Sequence, residues 1–205
     1  MKKNNFNIIN FLKIYSEDKL ALFFLINLII ILGLVIFGPL ITLQNPYDLS
    51  QLNILDSLLP PLSQAYENNY FLLGTDDQGR DLLSAIIYGL RISLYVGCLS
   101  VIISLIVGII LGVVSAYFGG FVDNFIMRVA DMVLAMPSFL IALVLLSILG
   151  RGLENVVFAL VMSQWATFAR VIRSSALSEK EKDYFYSARC LCLPQSRIIF
   201  GHLLP

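Results

Sequence analysis

Few side chains in this sequence have the types and spacing that do chemistry. Its three cysteines are Cys98, Cys190 and Cys192, and its single histidine is His202. Cys190 and Cys192 form C-x-C rather than the C-x-x-C of redox and zinc sites, and a structural zinc takes four ligands. They read as small, apolar-tolerant side chains, so neither a metal nor a cofactor is expected. No G-x-x-x-x-G-K-[ST], H-E-x-x-H or G-x-S-x-G occurs. A nucleotide-hydrolysing centre and an intramembrane hydrolase therefore lack their residues, and the chain is not expected to be an enzyme. Two groups of charges remain. Residues 74–81, GTDDQGRD, place Asp76, Asp77 and Asp81 around Arg80. Thr75 or Asp76 is expected to cap a helix over Leu82–Tyr88, with Asp77 and Asp81 four apart and Arg80 as an ion-pair partner. That reading outweighs a metal site. Arg128 and Asp131 lie three apart, share a helix face and are expected to form a structural ion pair, with Asp123 joining it or capping the helix.

The elements that hold these groups are membrane helices. Of 205 residues, 58% are hydrophobic and 14% charged, where a soluble domain carries about a quarter charged. Mean hydropathy is +0.83, which places the chain in the membrane class. Net charge is zero, so no basic excess points to nucleic acid. An uncharged first span runs over Ala21–Leu43, long enough for the roughly 20 residues a crossing needs. It is too long for a signal-peptide core, and residues 1–20 read as a short N-terminal segment ahead of it. Residues 44–91 form a polar, acidic loop. Residues 92–172 hold three more spans, Ile92–Phe118, Met132–Leu149 (or from near Phe125) and Asn155–Ala169, joined by turns at 119–124 and 150–154. Residues 173–205 form a further loop. The expected fold is all-α, a polytopic membrane helix bundle with about four spans.

Lysine and arginine give the orientation. With the N-terminus in the cytoplasm, eleven of them lie inside, and Arg80, Arg91 and Arg151 lie outside. The reverse topology breaks the positive-inside rule. Within the spans, Gly108 and Gly112 make a G-x-x-x-G that allows close helix packing without naming the partner. Pro137 is expected to kink the third span. Gln164 and Trp165 suit either a polar pathway or interhelical hydrogen bonds.

Residues 182–205, KDYFYSARCLCLPQSRIIFGHLLP, then face the cytoplasm. Asp183 to Arg189 are expected to form a helix with aromatic groups on one side and small residues on the other, broken at Leu193-Pro194. A second, more apolar helix is expected from Ile198 to Leu204. Such a long, aromatic-rich loop suits docking of a soluble partner better than a solvated connection.

Three ordered stretches carry a resemblance: FLLGTDDQGRDLLSAIIYGLRISL at 71–94, FVDNFIMRVADMVLAMPSFLIALVLLSILG at 121–150, and residues 182–205. Together they resemble the C-type permease subunits of ABC importers for dipeptides, oligopeptides and nickel, proteins of the bacterial inner membrane. The resemblance implies a B-type permease partner, two ATPase subunits on the cytoplasmic face and an extracytoplasmic substrate-binding protein. Peptide cargo is the main expectation and nickel the alternative. It also implies that 182–205 is the EAA-type coupling loop, taking energy from the ATPases. Asp183, Tyr184, Tyr186, Ser187, Ala188, Arg189, Cys192 and Pro205 are its expected contact residues. Tyr186, Ser187 and Ala188 stand at the E-A-A positions, Cys192 at the glycine, and His202 to Pro205 at the terminal H-I-L-P. A cysteine at the glycine position disfavours the positive φ that glycine supplies at a helix end. The family continues into two further membrane helices, whereas this chain stops at Pro205. A permease domain lacking its C-terminal part is the expectation, with a nonfunctional remnant as the alternative. If Ala188 lies at the docking contact, Ala188→Glu is expected to abolish ATPase association in a complete complex, read as loss of co-purification.

Overall fold

The computed structural model describes residues 18–48, 50, 52–64, 66, 70–191 and 194. The expected second loop helix over 198–204 lies outside them. Six α-helices are present among the described residues, and contacts divide the chain into one unit up to Ser93 and another from Leu94 on. Among the described residues, three helices are long and apolar enough to cross a membrane, and a bent pair makes a fourth if it counts as one span.

In the first unit, α1 is Lys19–Ile41. The Asp18 carboxylate starts it by accepting the Leu20 and Ala21 N–H groups at 2.9 and 3.4 Å, which satisfies donors a helix N-terminus leaves open. Only Gly38 is buried along α1. A Cβ there would lie 2.2 Å from Ile87 Cγ2, so the missing side chain sets that close approach.

The described residues between 42 and 81 are tied to one another by a short sheet and by hydrogen bonds. Strands β1 (Ser63–Gln64) and β2 (Tyr70–Phe71) pair antiparallel, with Ser63 opposite Phe71. Thr75 ties the segment together: its hydroxyl donates to the Asp56 carbonyl at 2.5 Å and accepts the Leu59 N–H at 2.8 Å. Gly74 has φ +81°, and a Cβ there would strike the Leu59 carbonyl oxygen at 2.3 Å.

Thr75 is thus engaged across the loop and Asp76 within its own turn, and neither caps the next helix. Asp76 Oδ1 accepts the Gln78 and Arg80 N–H groups, both at 2.9 Å, and its Oδ2 takes Arg80 Nε at 2.7 Å. The cap is Asp81, 1% exposed, which accepts the Leu83 and Ser84 N–H groups and the Ser84 hydroxyl. Asp77 is exposed and, like Asp81, precedes the helix instead of lying on it.

The turn at Asp76 carries a pH prediction. Burial alone would raise the carboxyl, but hydrogen bonds from the Arg80 amide and guanidinium and from the Gln78 amide outweigh it and hold Asp76 below its ordinary value. A depressed folded-state pKa gives stabilisation that is complete above the unfolded value and is lost as pH falls through the folded one. Limited proteolysis within 72–80 is expected only on acidification below the usual carboxylate range. Asp76→Asn is expected to bring that cleavage to neutral pH.

Helix α2, Leu82–Phe118, is one continuous helix of 37 residues. It merges the short helix expected over 82–88 with the second span. In the second unit, Gly119 (φ +64°) leads directly into α3, Gly120–Ala135, where a turn over 119–124 was expected. Helix α4 is Ser138–Leu149 and meets α3 at 90°. The expected kink at Pro137 is a full corner. Proline has no N–H to continue the ladder and disfavours helical geometry at the residue before it, and Met136 is accordingly extended at φ −98°, ψ 138°. The Asn155 side-chain amide closes the end of α4 by donating to the Leu149 and Gly150 carbonyls at 3.0 and 3.1 Å. Helix α5, Leu153–Lys180, overruns the expected span at both ends. Helix α6 is Asp183–Cys190.

The packing of this unit turns on small residues. Ala166 and Ala169 of α5 are fully buried with Trp165 and with Ala130 of α3, and Val107 and Leu111 of α2 pack on them. Trp165 is therefore a core residue. Gln164 is half-buried and lines a groove with Ser138, Phe139 and Ala142 of α4. A Cβ at Gly108 would lie 2.4 Å from Phe168 Cβ, and one at Gly112 2.7 Å from the Ala169 carbonyl oxygen. The G-x-x-x-G is thus used within the chain, to seat α2 on α5.

Candidate functional site

The candidate site is built where α2 ends, α3 begins and α5 hands over to α6. On α5, Arg173, Ala176 and Lys180 lie three and then four residues apart, so they share one face. Each meets a different neighbour. Arg173 grips the Asp123 carboxylate of α3 through Nε and a terminal nitrogen, both at 2.5 Å. Asp123 also accepts the Ser115 hydroxyl of α2 at 2.5 Å. One carboxylate thereby ties three helices. Lys180 Nζ donates to the Ala116 carbonyl at 2.6 Å and the Tyr117 carbonyl at 3.4 Å. Those carbonyls belong to the last turn of α2, where acceptors lack intrahelical donors and the helix dipole is negative, so a cation is the matching partner.

Between these polar contacts lies an apolar one. Val113 and Ala116 of α2, Ala176 of α5 and Phe185 of α6 form a buried cluster with Ile109, Tyr117, Ile172 and Leu177 around it. Phe185 is 1% exposed, whereas Tyr184 and Tyr186 on either side are 43% and 55% exposed. Successive helix residues are about 100° apart, so the three aromatic groups cannot share the single side expected of them. The link between α5 and α6 is braced by Glu179, whose carboxylate takes Lys182 Nζ at 2.5 Å and the Tyr184 hydroxyl. These bonds raise the Lys182 ammonium and the Tyr184 phenol above their ordinary values.

Of the expected site residues, Asp183, Tyr184, Tyr186 and Ser187 lie on α6, and the Ser187 hydroxyl donates to the Asp183 carbonyl at 3.0 Å. Ala188 and Arg189 belong to the same helix. Cys192 and Pro205 lie outside the described residues. The expected pair of Arg128 with Asp131 is corrected: Asp131 is bonded to Arg170 of α5, and Arg128 is exposed. Two residues three apart on one helix can meet, but Asp131 is instead met through a single contact by the guanidinium of Arg170 on the neighbouring helix. The sequence by itself does not point to Phe185, Lys180 or Arg173. Their signal is the 173–176–180 spacing, which has meaning only once α5 extends past Ala169.

This junction lies inside a match to known proteins. Residues 104–205 match the family model for the binding-protein-dependent transport system inner membrane component. The chain belongs to this family. In the permease family the membrane subunit is non-catalytic. A second match, over residues 10–61, is to the N-terminal TM domain of oligopeptide transport permease C. Among relatives, the chain is 37% identical over 191 residues to a dipeptide transport system permease protein, DppC, of Haemophilus influenzae, covering 93% of this chain and 64% of the relative. It is 33% identical over 191 residues to the oligopeptide transport system permease protein OppC of Bacillus subtilis, covering 93% and 60%. It is 41% identical over 192 residues to DppC of Escherichia coli K12, covering 93% and 63%. The chain thus spans about three fifths of the length of these curated relatives.

Proposed function

We propose that this permease chain is part of the membrane pathway of a binding-protein-dependent ABC importer for di- or oligopeptides, in the bacterial inner membrane. The observation that carries this reading is α6, a short helix seated on α2 and α5 by one buried ring while its neighbours Tyr184 and Tyr186 stay exposed. The exposed tyrosines, not the buried ring, are the surface offered to a soluble subunit. The chain lacks a phosphate loop of its own, so the energy comes from two ATPase subunits docking at α6. Asp183, Tyr184, Tyr186, Ser187, Ala188, Arg189, Cys192 and Pro205 are proposed to form or flank that contact. A B-type permease completes the pathway, and a substrate-binding protein delivers cargo on the opposite face. The excess of lysine and arginine near α6 supports a cytoplasmic location for it and for the N-terminus.

Co-expression with the ATPase, B-type permease and binding-protein subunits tests the proposal. ATPase co-purification with the chain and uptake of labelled dipeptide into proteoliposomes are the expected results. Failure of the unmodified chain to retain the ATPases would overturn it.

A further inference from the structure

We infer that Phe185 is the positioning residue through which a load on α6 reaches the membrane helices. The inference rests on the proposed docking of ATPase subunits at α6 and names the route beyond it. Phe185 is buried at 1% exposure while Asp183, Tyr184, Tyr186, Ser187 and Cys190 of α6 are exposed, and its ring lies in a socket made jointly by Val113 and Ala116 of α2 and Ala176 of α5. The socket walls are small or β-branched, so a large ring fills a space that no side chain of the socket itself can reach. Close packing resists compression and transmits displacement. A push on α6 therefore acts on α2 and α5 together.

The surroundings keep that push from dissipating. Lys180 fastens the last carbonyls of α2 to α5 just above the socket. Asp123 binds Ser115 of α2, Arg173 of α5 and its own helix α3 as one block. The connection from α5 to α6 is only two residues long and is braced at Glu179. Lys180, Asp123 and Glu179 thus brace the helices around the socket, and the exposed faces of Tyr184 and Tyr186 are where a partner would bear.

The test is the ratio of binding-protein-stimulated to basal ATPase activity in the assembled complex, read beside ATPase co-purification, which separates a loss of coupling from a loss of docking. In Phe185→Ala the ATPases are expected to co-purify at the unmodified level with basal hydrolysis intact. The stimulated ratio and peptide uptake are expected to fall about tenfold, toward the lower end of the usual range for coupling between sites. Phe185→Leu, which refills much of the socket, is expected to restore most of the ratio. It also decides the matter if the alanine variant does not fold: a Phe185→Tyr variant, folded but with a hydroxyl that the apolar socket cannot pair, is expected to show the lowered ratio beside a near-normal leucine variant. An unchanged ratio in folded Phe185→Ala, or equal ratios in the leucine and tyrosine variants, overturns the inference. Loss of the ATPases from Phe185→Ala assigns the ring to docking and also overturns it, leaving the proposed function standing. Absence of the ATPases from the unmodified complex defeats the proposed function instead.

Discussion

Gly108→Leu is expected to stop α2 from seating on α5. At this position a single added carbon would lie 2.4 Å from Phe168 Cβ and 3.0 Å from the Ala169 backbone nitrogen. Backbone cannot rotate aside as a side chain would, so relief requires the helices to separate. Overpacking a well-filled core costs about 1–3 kcal/mol, and a rigid backbone wall puts this site at the upper end. Separation would also unstack Val107 and Leu111 from Ala166, Ala169 and Trp165. The control is Gly97→Leu on the same helix, where an added carbon meets nothing within 4 Å. Thermal unfolding and protease resistance in detergent are expected to fall sharply for Gly108→Leu and to stay near the unmodified values for Gly97→Leu. Equal behaviour of the two would mean that the glycine pair does not set the helix separation.

The contrast between these two glycines, alike in sequence and unlike in surroundings, recurs along the chain. A run of some 20 uncharged residues announces a membrane helix whatever it packs against, so α1 and most of α2 are legible from composition, whereas the core of α5, uncharged only between Glu154 and Arg170, is less so. The corner at Pro137 is legible in place but not in size. Proline removes one hydrogen bond, and the angle that follows is set by what α3 and α4 pack against. The G-x-x-x-G declares that some helix comes close, yet glycine carries no information about which one. Helix ends are hardest. Thr75, Asp76 and Asp81 are all competent caps, and the choice among them is made by Asp56 and Leu59, residues remote in sequence whose polar groups engage Thr75 first. At the candidate site, α6 is visible in the sequence as a helix over 183–189. Its inward side is not, because three consecutive aromatic residues fit any rotation until the socket of Val113, Ala116 and Ala176 selects one.

The same dependence on neighbours separates two ion pairs that look alike in sequence. Arg173 and Arg170 lie about one turn apart on α5 and both reach aspartates of α3. Arg173 and Asp123 are 30% and 16% exposed, the contact is two-pronged, and Ser115 shares the carboxylate. Arg170 and Asp131 are 52% and 55% exposed and touch through one contact. Water screens the second pair, and exposed pairs contribute about 0–1 kcal/mol. In the first pair, removing one partner strands a charge that water reaches poorly. A fully buried case costs about 3–5 kcal/mol, and this half-sheltered one is expected to cost about 2 kcal/mol, between the two limits. Arg173→Ala and Asp123→Ala are each expected to lower stability by that amount in thermal unfolding, and Asp131→Ala by well under half of it. The double variant Asp123→Ala with Arg173→Ala is expected to be less destabilised than the sum of its parts, because it strands no charge. Strict additivity, or an equal loss from Asp131→Ala, would show that Asp123 does not hold α2, α3 and α5 together. The socket beneath Phe185 would then have to be braced in some other way.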